Sequence, residues 1–265
     1  MIKLFVSDLD GTLLNLKKEV SPTDIQSLKK LKESDVDICL ATGRMDIEIA
    51  EVLKMIGETY HRISQNGAFV RTKDHQSLHS FTFEYQLAKE IFEKVRNMPF
   101  ITLIADYEKN YTEKRDELIV QLESRMFAPI EENIELLTAL GQSIIPSKIS
   151  ILGEYEDLSA FQKQLVECRS DEVETYISDE HCLDVLPKNI SKGNALMVLM
   201  EHLGIKTDEI ACIGDSFNDI PMFQLTPHSF AMDIALPQVK KEAAYVVSSV
   251  SEAIEKVLEL NKSIV

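Results

Sequence analysis

The sequence has no apolar stretch approaching the roughly 18 residues that a membrane-spanning helix needs. Its four cysteines, Cys39, Cys168, Cys182 and Cys212, lie far apart, without a CxxC pair or a zinc-type spacing. That excludes a disulfide framework and a cysteine zinc site. Cys39 and Cys212 sit inside apolar runs and read as small buried hydrophobes. Positive charge is scarce: 28 Lys and Arg stand against 44 Asp and Glu, a formal net charge of −16. With no basic cluster to override that average, neither a nucleic-acid backbone nor an anionic membrane surface is an expected partner. The first residues, Met1 to Asp8, are too short an apolar run for a secretory signal and acids follow at once, so the expected compartment is the cytoplasm. Matches to the N-x-[ST] pattern at Asn110, Asn189 and Asn261 have no bearing without a secretory route. Repeats, low-complexity tracts and Pro/Gly/Ser-rich linkers are also missing, so domains must be read from pattern.

What is present is an ordinary globular composition, 45% hydrophobic and 27% charged, in 265 residues. That length is comfortable for two cores. The first part alternates in the βαβ manner. Ile2 to Ser7 reads as a buried strand. Ser21-Pro22 opens a helix with Asp24 in its first turn and Ile25, Leu28 and Leu31 at helical spacing. Val36 to Leu40 is a second strand, followed by a helix bearing Ile47, Ala50, Leu53 and Ile56. The last part repeats this style with a helix from Ser191 to Leu203, stopped by Gly204, and strands Ile210 to Ile213 and Tyr245 to Val247. The middle differs. A helix carrying Leu87, Ile91 and Val95 precedes a strand from Phe100 to Ala105. Strand-like Lys148 to Leu152, a helix with Leu158, Phe161 and Leu165, and the strands Val173 to Ser178 and Cys182 to Leu186 follow. Asp179-Glu180-His181 separates the last two as a hairpin connection. The pattern predicts a doubly wound, mostly parallel Rossmann-like core built from residues 1–83 and 188–265, with an α+β domain inserted at 84–187.

Chemistry concentrates directly after the predicted core strands, where ligands bind in open α/β sheets. Asp8-Leu9-Asp10-Gly11-Thr12 places two carboxylates on one side of an extended segment, with Leu9 on the other. Adjacent carboxylates repel unless a cation joins them, and a hard divalent ion such as magnesium is the natural partner. Gly11 permits a sharp turn. A solvated acidic turn is the plainer alternative. Gly214-Asp215-Ser216-Phe217-Asn218-Asp219 sets a second acidic cluster after a strand. Helix capping accounts for part of it but not for two acidic loops after two short apolar strands. Thr42-Gly43 opens a helix after Leu40, and Ser191-Lys192 opens another. Both suit phosphate, and each alone is also explained by ordinary capping or solvation.

This ordered set, Asp8-Leu9-Asp10-Gly11-Thr12, Thr42-Gly43-Arg44, Lys192 and Gly214 to Asp219, resembles the four motifs of haloacid dehalogenase-superfamily phosphatases. The insertion between the second and third motifs is similar to the Cof-type subfamily with its type-IIB cap, as is Ser64-Gln65-Asn66-Gly67-Ala68. The resemblance implies a nucleophile at Asp8 and a general acid–base at Asp10. It implies Mg2+ held by Asp8, the Asp10 carbonyl and Asp215, with Asp219 nearby. It further implies phosphoryl contacts from Leu9, Thr42, Gly43, Lys192 and Asn218, and substrate-side positions at Arg44, Asn66 and Gly67. The implied activity is hydrolysis of a small phosphorylated metabolite, a sugar phosphate or a phosphorylated cofactor, under a closing cap. A phosphomutase and a non-catalytic metabolite-binding protein are the alternatives.

Some positions depart from the subfamily pattern: Met232-Asp233-Ile234-Ala235 replaces a Gly-Asn-Ala element, Asn189 stands at a common glycine, and Gln65 precedes Asn66. Arg44 has two open readings, reaching substrate or pairing with a neighbouring acid. His75 and His79 have the spacing of a metal pair but the surroundings of a surface hairpin. Met197 and Met200 read as core residues, and the acids around Asp171 as a solvated face. Nothing in the sequence sets an oligomeric state.

Overall fold

Leu4-Phe5-Val6-Ser7 is buried at every position, as a strand with sheet on both edges and cover on both faces must be. In the computed structural model, which describes residues 1–124 and 126–263, this strand (β1, Leu4–Ser7) lies inside an eight-stranded sheet. The chain then forms helix α1 (Pro22–Lys32), β2 (Asp37–Ala41), α2 (Asp46–Ile56), β3 (His61–Ser64), β4 (Phe69–Arg71) and β5 (Ser77–Ser80). The middle contributes α3 (Tyr85–Val95), β6 (Ile101–Ala105), β7 (Asn110–Thr112), α4 (Glu117–Glu123), β8 (Ile130–Glu132) and α5 (Leu136–Ala139). It continues with β9 (Lys148–Leu152), α6 (Tyr155–Arg169), β10 (Val173–Asp179) and β11 (Cys182–Pro187). The last part holds α7 (Lys192–Leu203), β12 (Ile210–Gly214), α8 (Ile220–Phe223), β13 (Ser229–Met232), α9 (Pro237–Lys240), β14 (Tyr245–Val247) and α10 (Val250–Ser263).

Two compact units result: Met1–Gly43, Ile49–His79 and Ser191–Val265 form one, and Arg44–Glu48 with Ser80–Ile190 the other. The boundaries expected at 83 and 187 therefore move outward. Phe83 already donates its N–H to the Pro146 carbonyl (2.7 Å) and packs in the second unit's core, and Lys188 still donates to Glu172 (2.9 Å). Arg44–Glu48 was not foreseen as part of that unit. The cause is Glu48, whose carboxylate, 3% exposed, accepts from the Met45 N–H (3.1 Å), the Phe127 N–H (3.1 Å) and the Arg44 guanidinium (3.0 Å).

The first unit is doubly wound, with strand order β14-β13-β12-β1-β2-β3-β4-β5. β1 pairs in parallel with β12 and β2, β2 with β3, β12 with β13 and β13 with β14, and β4 adds antiparallel to β3. Register does the positioning. Ser7 stands opposite both Ile213 and Leu40, and Ala41 opposite Ile63. The segments beginning at Asp8, Thr42, Gln65 and Asp215 thus leave neighbouring strands at one carboxyl edge.

In the second unit the order is β10-β11-β9-β6-β7-β8, antiparallel throughout except for β7 with β8. Ile104, Ile149, Ile151, Leu183 and Val185 alternate onto one face and pack with Ile91, Phe92, Leu158, Phe161 and Leu165 of α3 and α6. The alternate residues Leu103 and Ile130 face the other way and pack with Ile119 of α4, so period-two alternation serves helices on both faces of an α+β unit.

Candidate active site

All four segments at the carboxyl edge carry chemistry, and each is set by its own backbone. Asp8 continues β1, its N–H donating to the Ile213 carbonyl at 3.0 Å. The chain then turns at Gly11, φ 75°, where an added Cβ would lie 2.5 Å from Asp215 Oδ2. The same turn brings Thr12 Oγ1 to donate to Asp215 Oδ1 at 3.0 Å. Leu9 is fully buried, while Asp10 is exposed on the opposite side of the segment. Thr42, 1% exposed, follows β2 with its N–H on the Ile63 carbonyl (2.9 Å). Ser191 caps α7 by accepting the Asn194 N–H (3.0 Å), which leaves Lys192 at the first helical position.

Lys192 is the centre of the site. Its ammonium is wholly buried and lies 2.6 Å from Asp8 Oδ1 and 2.6 Å from Asp219 Oδ1. The other Asp219 oxygen accepts the Asp215 and Ser216 N–H groups, both at 3.0 Å. Asp8, Asp215 and Asp219 each offer an oxygen within 4.8 Å of the others, and no other trio of metal-ligating side chains gathers in this way among the described residues. His75 joins no such cluster, and Arg62 Nη2 lies 3.2 Å from its Nδ1.

Electrostatics follow from one ammonium among three carboxylates. Burial lifts the Asp8 carboxyl well above the usual carboxylate range; Lys192 opposes the rise and Asp219, Asp215 and Asp10 add to it. Burial together with Asp219 pushes Asp215 up to about 7, against the Thr12 hydrogen bond and Lys192. Burial alone would lower the Lys192 pKa, but the Asp219 and Asp8 carboxylates outweigh it and raise the pKa above the ordinary lysine value. A site that pulls two carboxylates toward the neutral form is one in which a further cation is stabilising.

Asn218 and Asn66, far apart in sequence, meet here: Asn218 Nδ2 donates to Asn66 Oδ1 at 3.0 Å. Sequence reasoning named both residues and missed the bond between them. The only signal was the Asn66-Gly67 dipeptide, a turn marker. Gly43 lies between Thr42 and the second unit's Arg44. Of the two readings open for Arg44, the structure shows the pairing with an acid: its guanidinium contacts Glu48 and lies 5.0 Å above the Phe127 ring centroid.

A doubly wound sheet with acidic loops after two central strands and a buried lysine between them defines a hydrolase class. The family model of haloacid dehalogenase-like hydrolases matches residues 5–258. The chain belongs to that family. Among curated relatives, the HMP-PP phosphatase of Escherichia coli O8 is 27% identical over 242 residues, 91% of this chain and 88% of that protein. A Thermotoga maritima crystal structure is similar at a TM-score of 0.83 with 29% identity, covering 97% of each chain. A haloacid dehalogenase-like hydrolase from Bacteroides thetaiotaomicron gives 0.82 with 27% identity, over 97% of this chain and all (100%) of that one. No helix among the described residues is long and apolar enough to cross a membrane.

Proposed function

We propose that this hydrolase is a magnesium-dependent phosphatase of small phosphorylated metabolites in the cytoplasm, acting through a phosphoryl group carried on Asp8. The observation that carries the reading is the buried Asp8 carboxylate, 2.6 Å from the Lys192 ammonium and clustered with Asp215 and Asp219. An Asp8 oxygen attacks phosphorus, so that a carboxyl oxygen–phosphorus bond forms as the ester bond breaks. Asp10 gives its proton to the departing oxygen and then takes one from water, which attacks phosphorus and releases Asp8. Lys192, Asn218, the Thr42 hydroxyl and the Leu9 and Gly43 amides bind the transferred oxygens, whose charge must be neutralised in place.

The three carboxylates fit a divalent cation, because burial and mutual repulsion lift Asp8 and Asp215 toward neutrality without one. Asp8, Asp215 and the Asp10 carbonyl would hold it, and when bound it supplies charge neutralisation for the phosphoryl oxygens. Asp219 has a different part. Lys192 occupies one of its oxygens and two backbone amides the other, so it braces the site and stands near the cation rather than holding it directly, in keeping with the motif resemblance, which sets Asp219 only nearby.

Sugar phosphates and phosphorylated cofactors form the substrate panel, and HMP-PP joins it because a relative bears that activity in its name. The test is phosphate release with and without Mg2+, with Asp8→Asn alongside wild type. Release that needs Mg2+ and drops at least about 1000-fold in the variant supports the reading. Folded wild type that releases no phosphate from any member of the panel rejects it.

A further inference from the structure

The Asn218 side chain makes one hydrogen bond among the described residues, the donation to Asn66. Its own Oδ1 is buried and accepts nothing. A primary amide has two N–H donors and one acceptor, and its terminal torsion is broad and roughly two-fold. A single bond therefore decides which way this amide faces. Its partner is well fixed. Asn66 has no solvent-exposed surface, sits at φ 57°, and donates its N–H to the Thr42 carbonyl at 2.9 Å. The next residue, Gly67, approaches Ser191 so closely that a Cβ would lie 2.4 Å from the Ser191 carbonyl oxygen. The short turn Gln65–Gly67 thus touches Thr42, the cap of the Lys192 helix, and Asn218 at once.

We propose that Asn66 is a positioning residue: by accepting one N–H of Asn218 it aims the other N–H at the transferred phosphoryl group, and it does not itself meet substrate. The ligand named here rests on the phosphatase reading. Phosphoryl oxygens are acceptors, so Asn218 helps only with its nitrogen toward them. With the amide reversed, its oxygen would repel them. In place of the substrate-side role that the resemblance implies for Asn66 and Gly67, we set Asn66 behind the binding surface, where it is enclosed and Gly67 is pressed on backbone.

Asn66→Gly removes the acceptor and leaves the positive φ unstrained. In a double-mutant cycle with Asn218→Ala, Asn66→Gly should lower kcat/KM about 10-fold in the wild-type background and less than about 2-fold in the Asn218→Ala background. Equal losses in both backgrounds would overturn the proposal, since they would show Asn66 acting through loop shape alone. The second readout needs no turnover. In 15N-resolved NMR spectra with inorganic phosphate, the two Nδ2 protons of Asn218, assigned by their loss in Asn218→Ala, should be well separated in wild type. In Asn66→Gly the proton that Asn66 accepts should move upfield toward its position in a solvated amide, and in Asn66→Asp, which keeps the acceptor, it should hold its place. Wild-type shifts that survive Asn66→Gly also overturn it. If wild type hydrolyses nothing, the phosphatase reading has failed, and these spectra still decide whether Asn66 orients Asn218.

Discussion

Gly11 shows how one side chain's absence shapes the acidic centre. Its φ of 75° and the 2.5 Å approach of Asp215 Oδ2 mean that Gly11→Ala carries two penalties. The left-handed conformation costs an L-residue roughly 1–2 kcal/mol, and the methyl group displaces the carboxylate that Thr12 holds. The variant should lose about that much stability in chemical denaturation and bind Mg2+ more weakly by calorimetry. Normal Mg2+ affinity would show that Asp215 tolerates displacement. Asp37, at the start of β2, offers a pH test away from the site. The ring of His61 (3.8 Å) and the Lys73 ammonium (2.5 Å) hold its carboxyl at about 2. A lowered folded pKa stabilises at pH values above the unfolded value near 4, and that contribution disappears as pH falls through about 2. Asp37 is partly exposed, so Asp37→Asn should cost less than about 1 kcal/mol at pH 7. The gap from wild type should close in denaturation curves measured near pH 2.

Among the elements, α1 shows what a sequence gives away and what it keeps. The Ser21 cap, Pro22 and the apolar spacing of Leu28 and Leu31 are local signals, and the helix spans Pro22–Lys32. Asp24 reads locally as a favourable charge at the helix start, yet its larger task is remote. Its Oδ1 accepts the Ser251 N–H and hydroxyl, both at 2.8 Å, at the start of α10, while Ser21 Oγ donates to its Oδ2 at 2.6 Å. One buried carboxylate thus joins two helix N-termini. Asp24→Ala should destabilise the protein by about 2–4 kcal/mol, since charged hydrogen bonds are lost and buried donors are left without a partner. A loss under about 0.5 kcal/mol by urea denaturation would show that water replaces it. Strands were legible where burial forced a continuous apolar run, as in β1 and β12. They were illegible at β3 (His61-Arg62-Ile63-Ser64) and β5 (Ser77-Leu78-His79-Ser80), whose polar side chains hide the strand and whose pairing comes from neighbours. The three-residue β7 and β8 are too short to show a period, and α4 and α5 too short to show a helical one. Asn189, a departure from the subfamily pattern that the motifs resemble, became intelligible only with its φ of 66°, which asparagine tolerates. The acidic loops and Lys192 were legible because chemistry fixes residue type. The Asn66–Asn218 bond was not, because only the sheet register brings those residues together.

The whole molecule carries a net charge of −16, and its candidate site gathers three of its carboxylates, two buried and one half-buried, around one lysine. Both features predict the same direction of response to cations, by mechanisms that differ in range. A divalent ion bound to Asp8 and Asp215 stabilises only the folded state, by an amount that grows with the logarithm of its concentration. Mg2+ at about 100 times its dissociation constant should therefore raise Tm by the equivalent of about 2.7 kcal/mol. The same ion should raise the Tm of Asp215→Asn much less. Monovalent salt acts on the diffuse charge. The screening length shrinks from about 30 Å at 0.01 M to about 8 Å at 0.15 M, so repulsion between distant acids fades while contact pairs such as Lys192 with Asp8 persist. Wild type and Asp215→Asn should then gain similarly in Tm from NaCl, measured without divalent ions, although they part company in Mg2+. If NaCl at matched ionic strength reproduced the whole Mg2+ effect in wild type, the acidic trio would be responding as general surface charge and not as a metal site.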